Sequence, residues 1–135
     1  MPETTIRTIN GIEQGRANFA YECAENCKNV KNYKSYVKKL PMLIKTNGIG
    51  ATFAFMFGKK EEAYKKIGDN IFNWLKQDKK KIIDLGNITN FEQLVKKVVE
   101  INSTEYKALT NEVMAFLNWL RRFADGLIED KKDKN

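Results

Sequence analysis

Apolar positions recur at three- and four-residue intervals along most of this chain, the signature of amphipathic helices. Ile12, Arg16, Phe19, Ala20, Cys23, Cys27 and Val30 trace one face of a first helix, predicted from near Thr8 to about Asn29 with Gly11 and Gly15 weakening its start. The next segment, Asn32 to Thr46, contains Pro41. Proline lacks an amide donor and crowds the preceding turn, so a kink or a joint between two short helices is predicted at Lys39–Leu40. Asn47 and Gly48 then form a turn that ends the segment. Gly48 to Phe57 reads as a short, largely buried apolar helix that Gly58 stops. Glu61 to Gln77 carries Ala63, Ile67, Ile71, Trp74 and Leu75 at helical spacing.

Asp78 to Thr89 is the least helical stretch, with Lys79, Lys80 and Lys81 in a row and a Gly86-Asn87 turn. Asn90 with Gln93 resembles a capping box for a helix ending near Ile101, with Phe91, Leu94, Val95, Val98 and Val99 on its apolar face. Asn102 with Glu105 repeats the capping pattern and opens the longest helix, to about Glu129. Its stripe is Tyr106, Leu109, Val113, Phe116, Leu117, Leu120, Phe123, Ala124 and Leu127. That helix would span about 40 Å. The expected fold is all-α, a compact single-domain bundle of about five to seven helices. The domain is predicted to cover 1–135, with 131–135 a flexible charged tail.

The chain's 42% hydrophobic and 30% charged residues describe an ordinary globular protein. No apolar run approaches the ~20 residues that span a bilayer, and Met-Pro-Glu-Thr-Thr lacks the layout of a signal peptide. The expected location is cytoplasmic, away from membranes. There is no histidine, so the commonest general base and metal ligand are missing. Cys23 and Cys27 cannot complete a zinc site alone and read as small core residues. No phosphate-binding loop occurs around Gly58-Lys59-Lys60, and no nucleophile elbow occurs anywhere. Nothing points to catalysis, a metal site or a cofactor.

Lysine and arginine number 24 against 17 acidic residues, a net charge of +7, and only Arg7, Arg16, Arg121 and Arg122 are arginine. Lysine is a flexible point charge without arginine's planar fork, so this excess suits phosphate better than base edges. An AT-rich genome would give the same composition, which by itself does not choose.

Three stretches carry a family resemblance. They are Arg16 to Tyr21 (RANFAY), Tyr33 to Phe55 (YKSYVKKLPMLIKTNGIGATFAF) and Leu117 to Ile128 (LNWLRRFADGLI). In order, length and content the chain resembles the small helical subunit of the type III-B CRISPR–Cas effector, the fifth protein of the Cmr complex. The 78–89 loop matches nothing in that pattern. The resemblance implies a non-catalytic subunit whose copies stack as a short filament beside the backbone subunits that grip guide RNA, facing the groove where target RNA pairs. Target cleavage would belong to those backbone subunits, and other chemistry to the large subunit. The implied partners are these Cmr subunits, further copies of the chain, and guide and target RNA through phosphates.

With that resemblance in place, the candidate RNA-backbone contacts are Arg16, Lys34, Lys38, Lys39, Lys45, Lys59, Lys60, Arg121 and Arg122. Lys34, Lys38, Lys39 and Lys45 surround the predicted kink. Each has a structural alternative: Arg16 could pair with Glu13 or Glu105, Arg122 with Asp125 or Glu129, Arg121 with Asp125, and a lysine run is often only a solvated face. Asn47 and Gly48 read as turn chemistry. Trp74, Trp119, Phe116 and Phe123 read as core or interface anchors, with no aromatic in an obvious basic loop. A protein adapter without nucleic-acid contact is the competing function. A helix-turn-helix reader is disfavoured because no short helix presents an Arg/Asn/Gln-rich face.

Overall fold

In the computed structural model the described residues are 2–77 and 84–129, so the Lys79–Lys81 run and the 131–135 tail lie outside them. The described residues form six helices and no strand: α1 (Pro2–Asn26), α2 (Tyr33–Asn47), α3 (Ile49–Phe57), α4 (Glu62–Gln77), α5 (Phe91–Val98) and α6 (Ser103–Leu127). The two long helices, α1 and α6, lie along each other, and α2 packs on α6. α3 fits between α2, α4 and α5. One buried cluster draws side chains from all six helices. None of these helices is long and apolar enough to cross a membrane.

Local chemistry sets the boundaries. α5 and α6 begin where Asn90 and Asn102 accept hydrogen bonds from the backbone amides of Gln93 and Glu105, at 2.9 and 2.8 Å. Gln93 turns outward and accepts from the Thr89 amide at 2.7 Å, leaving the box half-formed. α2 ends at Gly48, whose φ of 89° suits glycine and whose amide donates to the Ile44 carbonyl. The amide of Gly50 then donates to the Tyr106 hydroxyl at 2.8 Å, so a phenol from α6 caps α3. A Cβ on Gly48 would stand 3.1 Å from that hydroxyl.

Four expectations need correction. Of the kink or joint expected at Lys39–Leu40, the joint does not form: α2 is one helix with Pro41 inside it. The missing bond and ring clash cost about 3 kcal/mol, whereas burying Tyr33, Val37, Leu40 and Ile44 along one stripe returns roughly 1.5–3 kcal/mol per apolar side chain. α3 is not largely buried. Only Ile49, Thr52, Phe53 and Met56 turn inward, while Phe55 and Phe57 are 41% and 51% exposed, because its neighbours cover one face only. α5 stops at Val98, which leaves Val99 outside the core at 69% exposure. α1 starts earlier and ends earlier than its apolar stripe implies, because Cys27 and Val30 form the following turn.

Candidate nucleic-acid interface

The structure sorts the nine candidate residues by burial and partner. Arg16 is not a surface charge: only 7% exposed, it lies between α1 and α6. Its Nε and one terminal nitrogen donate to the two oxygens of Glu112, both at 2.9 Å, and the other terminal nitrogen donates to Glu13 at 2.6 Å. The indole of Trp74 donates to Glu112 at 2.8 Å, and that of Trp119 donates to Glu13 at 2.7 Å. The planar fork of arginine is here used inside the protein, where a buried carboxylate needs several donors. Glu112, and not Glu105, is the long-range partner; a glutamate on the polar-looking flank of α6 gives no sign in the sequence of being buried.

Lys34 and Lys38 lie one turn apart on the side of α2 that meets the end of α6. Lys34 donates to the Ile128 carbonyl at 2.9 Å, and Lys38 pairs with Asp125 at 3.1 Å. The hydrogen bond and charge of Lys38, with those of Lys34, hold the Asp125 carboxyl below its usual range. Asp125 is therefore taken by lysines of α2, and Arg122 instead stands over the Trp119 ring, 5.8 Å from its centre. Arg121 is half-buried, and its Nε has no hydrogen-bond partner among the described residues.

Beside these two lysines opens a cleft of about 900 Å³, lined by Lys28, Lys31, Lys34 and Lys38 from one side and Leu127 to Glu129 from the other. Lys28 and Lys31 were missed in the sequence. Both lie in the turn between α1 and α2, where no helical spacing marks them.

Lys39, one residue on, turns to the opposite flank of α2. Its ammonium stands 4.9 Å from the Tyr36 ring centre, and Lys59 stands 4.9 Å from that of Phe55. Tyr36 stacks on Tyr64 at 4.2 Å, and Phe55 meets Tyr64 edge-on at 5.5 Å. These rings lie on helices α2, α3 and α4, and so outside the basic loops in which no aromatic was expected. Three helices bring together rings and lysines that are far apart in sequence. Lys45 is exposed near the end of α2, and Lys60 is exposed in the connection between α3 and α4. Of the nine candidates, Lys34 and Lys38 stand at the cleft and Lys39 and Lys59 at the rings, whereas Arg16 is buried and Arg122 stands over Trp119 instead.

Comparison with known proteins agrees with this architecture. The family described as "CRISPR-associated protein (Cas_Cmr5)" matches residues 12–127. The CRISPR system Cmr subunit Cmr5 of Thermus thermophilus is 29% identical over 98 residues, 73% of this chain and 76% of that protein. The crystal structure of a CRISPR-associated Cmr5 family protein from Thermus thermophilus superposes with a TM-score of 0.73 at 27% identity. That match covers 87% of this chain and 97% of the other.

Proposed function

The chain belongs to the Cas_Cmr5 family of CRISPR-associated proteins, and from that premise we propose that it is the non-catalytic small subunit of a cytoplasmic type III-B Cmr effector. In this reading it associates with the backbone and large subunits, stacks with further copies of itself, and contacts guide and target RNA through phosphates in antiviral defence. The observation that carries the RNA contact is the lysine-lined cleft between the α1–α2 turn and the end of α6. Its four lysines bring point charges without a fork for base edges, which suits sequence-independent backbone binding, although Lys28 is paired with Glu25 and Lys34 and Lys38 with Asp125. Adjacent copies would add such contacts along one groove without new residues.

The test is target-RNA affinity of the reconstituted effector against salt, wild type beside Lys31→Ala/Lys38→Ala. The expected result is weaker capture of every target sequence, with the salt slope flattened by about 0.7 for each single-strand phosphate no longer neutralised. Unchanged affinity and slope would sink the phosphate contact. The adapter role, without nucleic acid, would then gain from Met42, Phe57 and Val99, which are 65%, 51% and 69% exposed.

A further inference from the structure

Tyr64 is only 2% exposed and fills one face of Tyr36, with ring planes 11° apart. The Lys39 ammonium, 4.9 Å from the same ring centre, therefore occupies the other face, where a third ring would lie. Phe55 stands nearly perpendicular to Tyr64, at 83°, and the exposed Lys59 covers its ring in the same way. The Tyr36 hydroxyl donates to Glu61 at 3.2 Å, which fixes the ring's tilt at the surface. Two aromatic faces are thus held in place from beneath and covered by flexible lysine side chains.

Resting on the RNA reading above, we propose that Tyr36 and Phe55 are stacking platforms for unpaired bases of single-stranded RNA. Lys39 and Lys59 leave the rings as the bases arrive and take up the flanking phosphates. An ammonium over an exposed ring contributes only about 2- to 5-fold, whereas a base stacked on an aromatic contributes roughly 5- to 150-fold. The exchange favours the base, and the displaced charge gains a phosphate. Every base has a π-face, so the contact is indifferent to sequence. Because the two platforms meet steeply, a strand using both must splay its bases apart, and a paired duplex fits neither.

The experiment uses the purified full-length chain at low salt. One probe is a ten-nucleotide oligouridine with a central 2-aminopurine, and the other is an abasic ribose-phosphate strand of equal length. The wild type is expected to quench the 2-aminopurine and to bind the base-bearing strand at least about fivefold more tightly than the abasic one. Tyr36→Leu and Phe55→Leu should each lower that preference while leaving abasic binding and helical circular dichroism unchanged. Phe57→Leu, which alters a more exposed phenylalanine (51%) outside the stack, should change neither. Equal wild-type affinity for both strands overturns the platforms but leaves the phosphate contacts standing. Equal loss on both strands, or the same loss from Phe57→Leu, overturns them in favour of a structural role or an apolar protein-docking face. Binding of neither strand overturns this inference and the RNA reading together.

Discussion

A cation, a carboxylate and aromatic rings come together inside the molecule and again at its surface. Inside, Arg16, Glu112 and Trp74 join α1, α6 and α4, the carboxylate accepting two bonds from the arginine fork and one from the indole. At the surface, Lys39, Glu61 and Tyr36 lie beside Tyr64 and Phe55, and the lysine merely stands over a ring. The difference lies in solvent. A buried charge has no replacement for a missing partner, so the first group is structural. An exposed lysine exchanges its ring for water or a ligand at little cost, so the second group is free to bind.

The strongest way to break this contrast is Glu112→Ala. It strands the Arg16 charge and the Trp74 indole, and stability to urea should fall by about 3–5 kcal/mol. A loss below about 1 kcal/mol would mean the network is not structural. Gly68→Ala asks whether the interior is equally intolerant where no charge is involved. A Cβ there would lie 2.8 Å from a Phe91 ring carbon, so a cost of about 1–3 kcal/mol is expected in thermal unfolding, partly relieved in a Phe91→Leu background.

Tyr106→Phe probes an intermediate case, half-buried, where one hydroxyl caps α3 at Gly50. The expected cost is about 0.5–1.5 kcal/mol, with faster hydrogen exchange at the start of α3 and little elsewhere.

The smallest effect is at the exposed Asp125–Lys38 pair. The Asp125 carboxyl is lowered by the Lys38 hydrogen bond and charge. Its contribution is therefore present above the unfolded-state pKa of about 3.9 and lost as the pH falls through the lower folded value. An NMR titration of Asp125 should move up toward the ordinary value in Lys38→Ala. No movement would separate the pair and leave Lys38 a simple surface charge.

Much of the helix plan was legible. The caps at Asn90 and Asn102 were visible from side chains three residues apart, because capping is a local event. The Asn47-Gly48 turn was visible for the same reason. Of the kink or joint expected at Lys39–Leu40, the joint does not form, because the local penalty is plain in the sequence while the burial opposing it is distributed over α2. The site was less legible. Lys34, Lys38, Lys39 and Lys59 could be picked out as charges, but their division into a cleft group and a ring group depends on which flank of α2 each occupies. Arg16 was assigned outward as one alternative because Glu112 lies 96 residues away.

The sequence by itself determined the all-helical class, the long closing helix and the excess of lysine over arginine. These follow from periodicity, capping and composition, which act over a few residues or none. Tertiary structure alone decided that Arg16 is sealed against Glu112, that Asp125 belongs to α2's lysines, and that Tyr36, Tyr64 and Phe55 meet. Each of these depends on how helices cross. Crossing is set by the fit of whole faces, and no single stretch of sequence contains it.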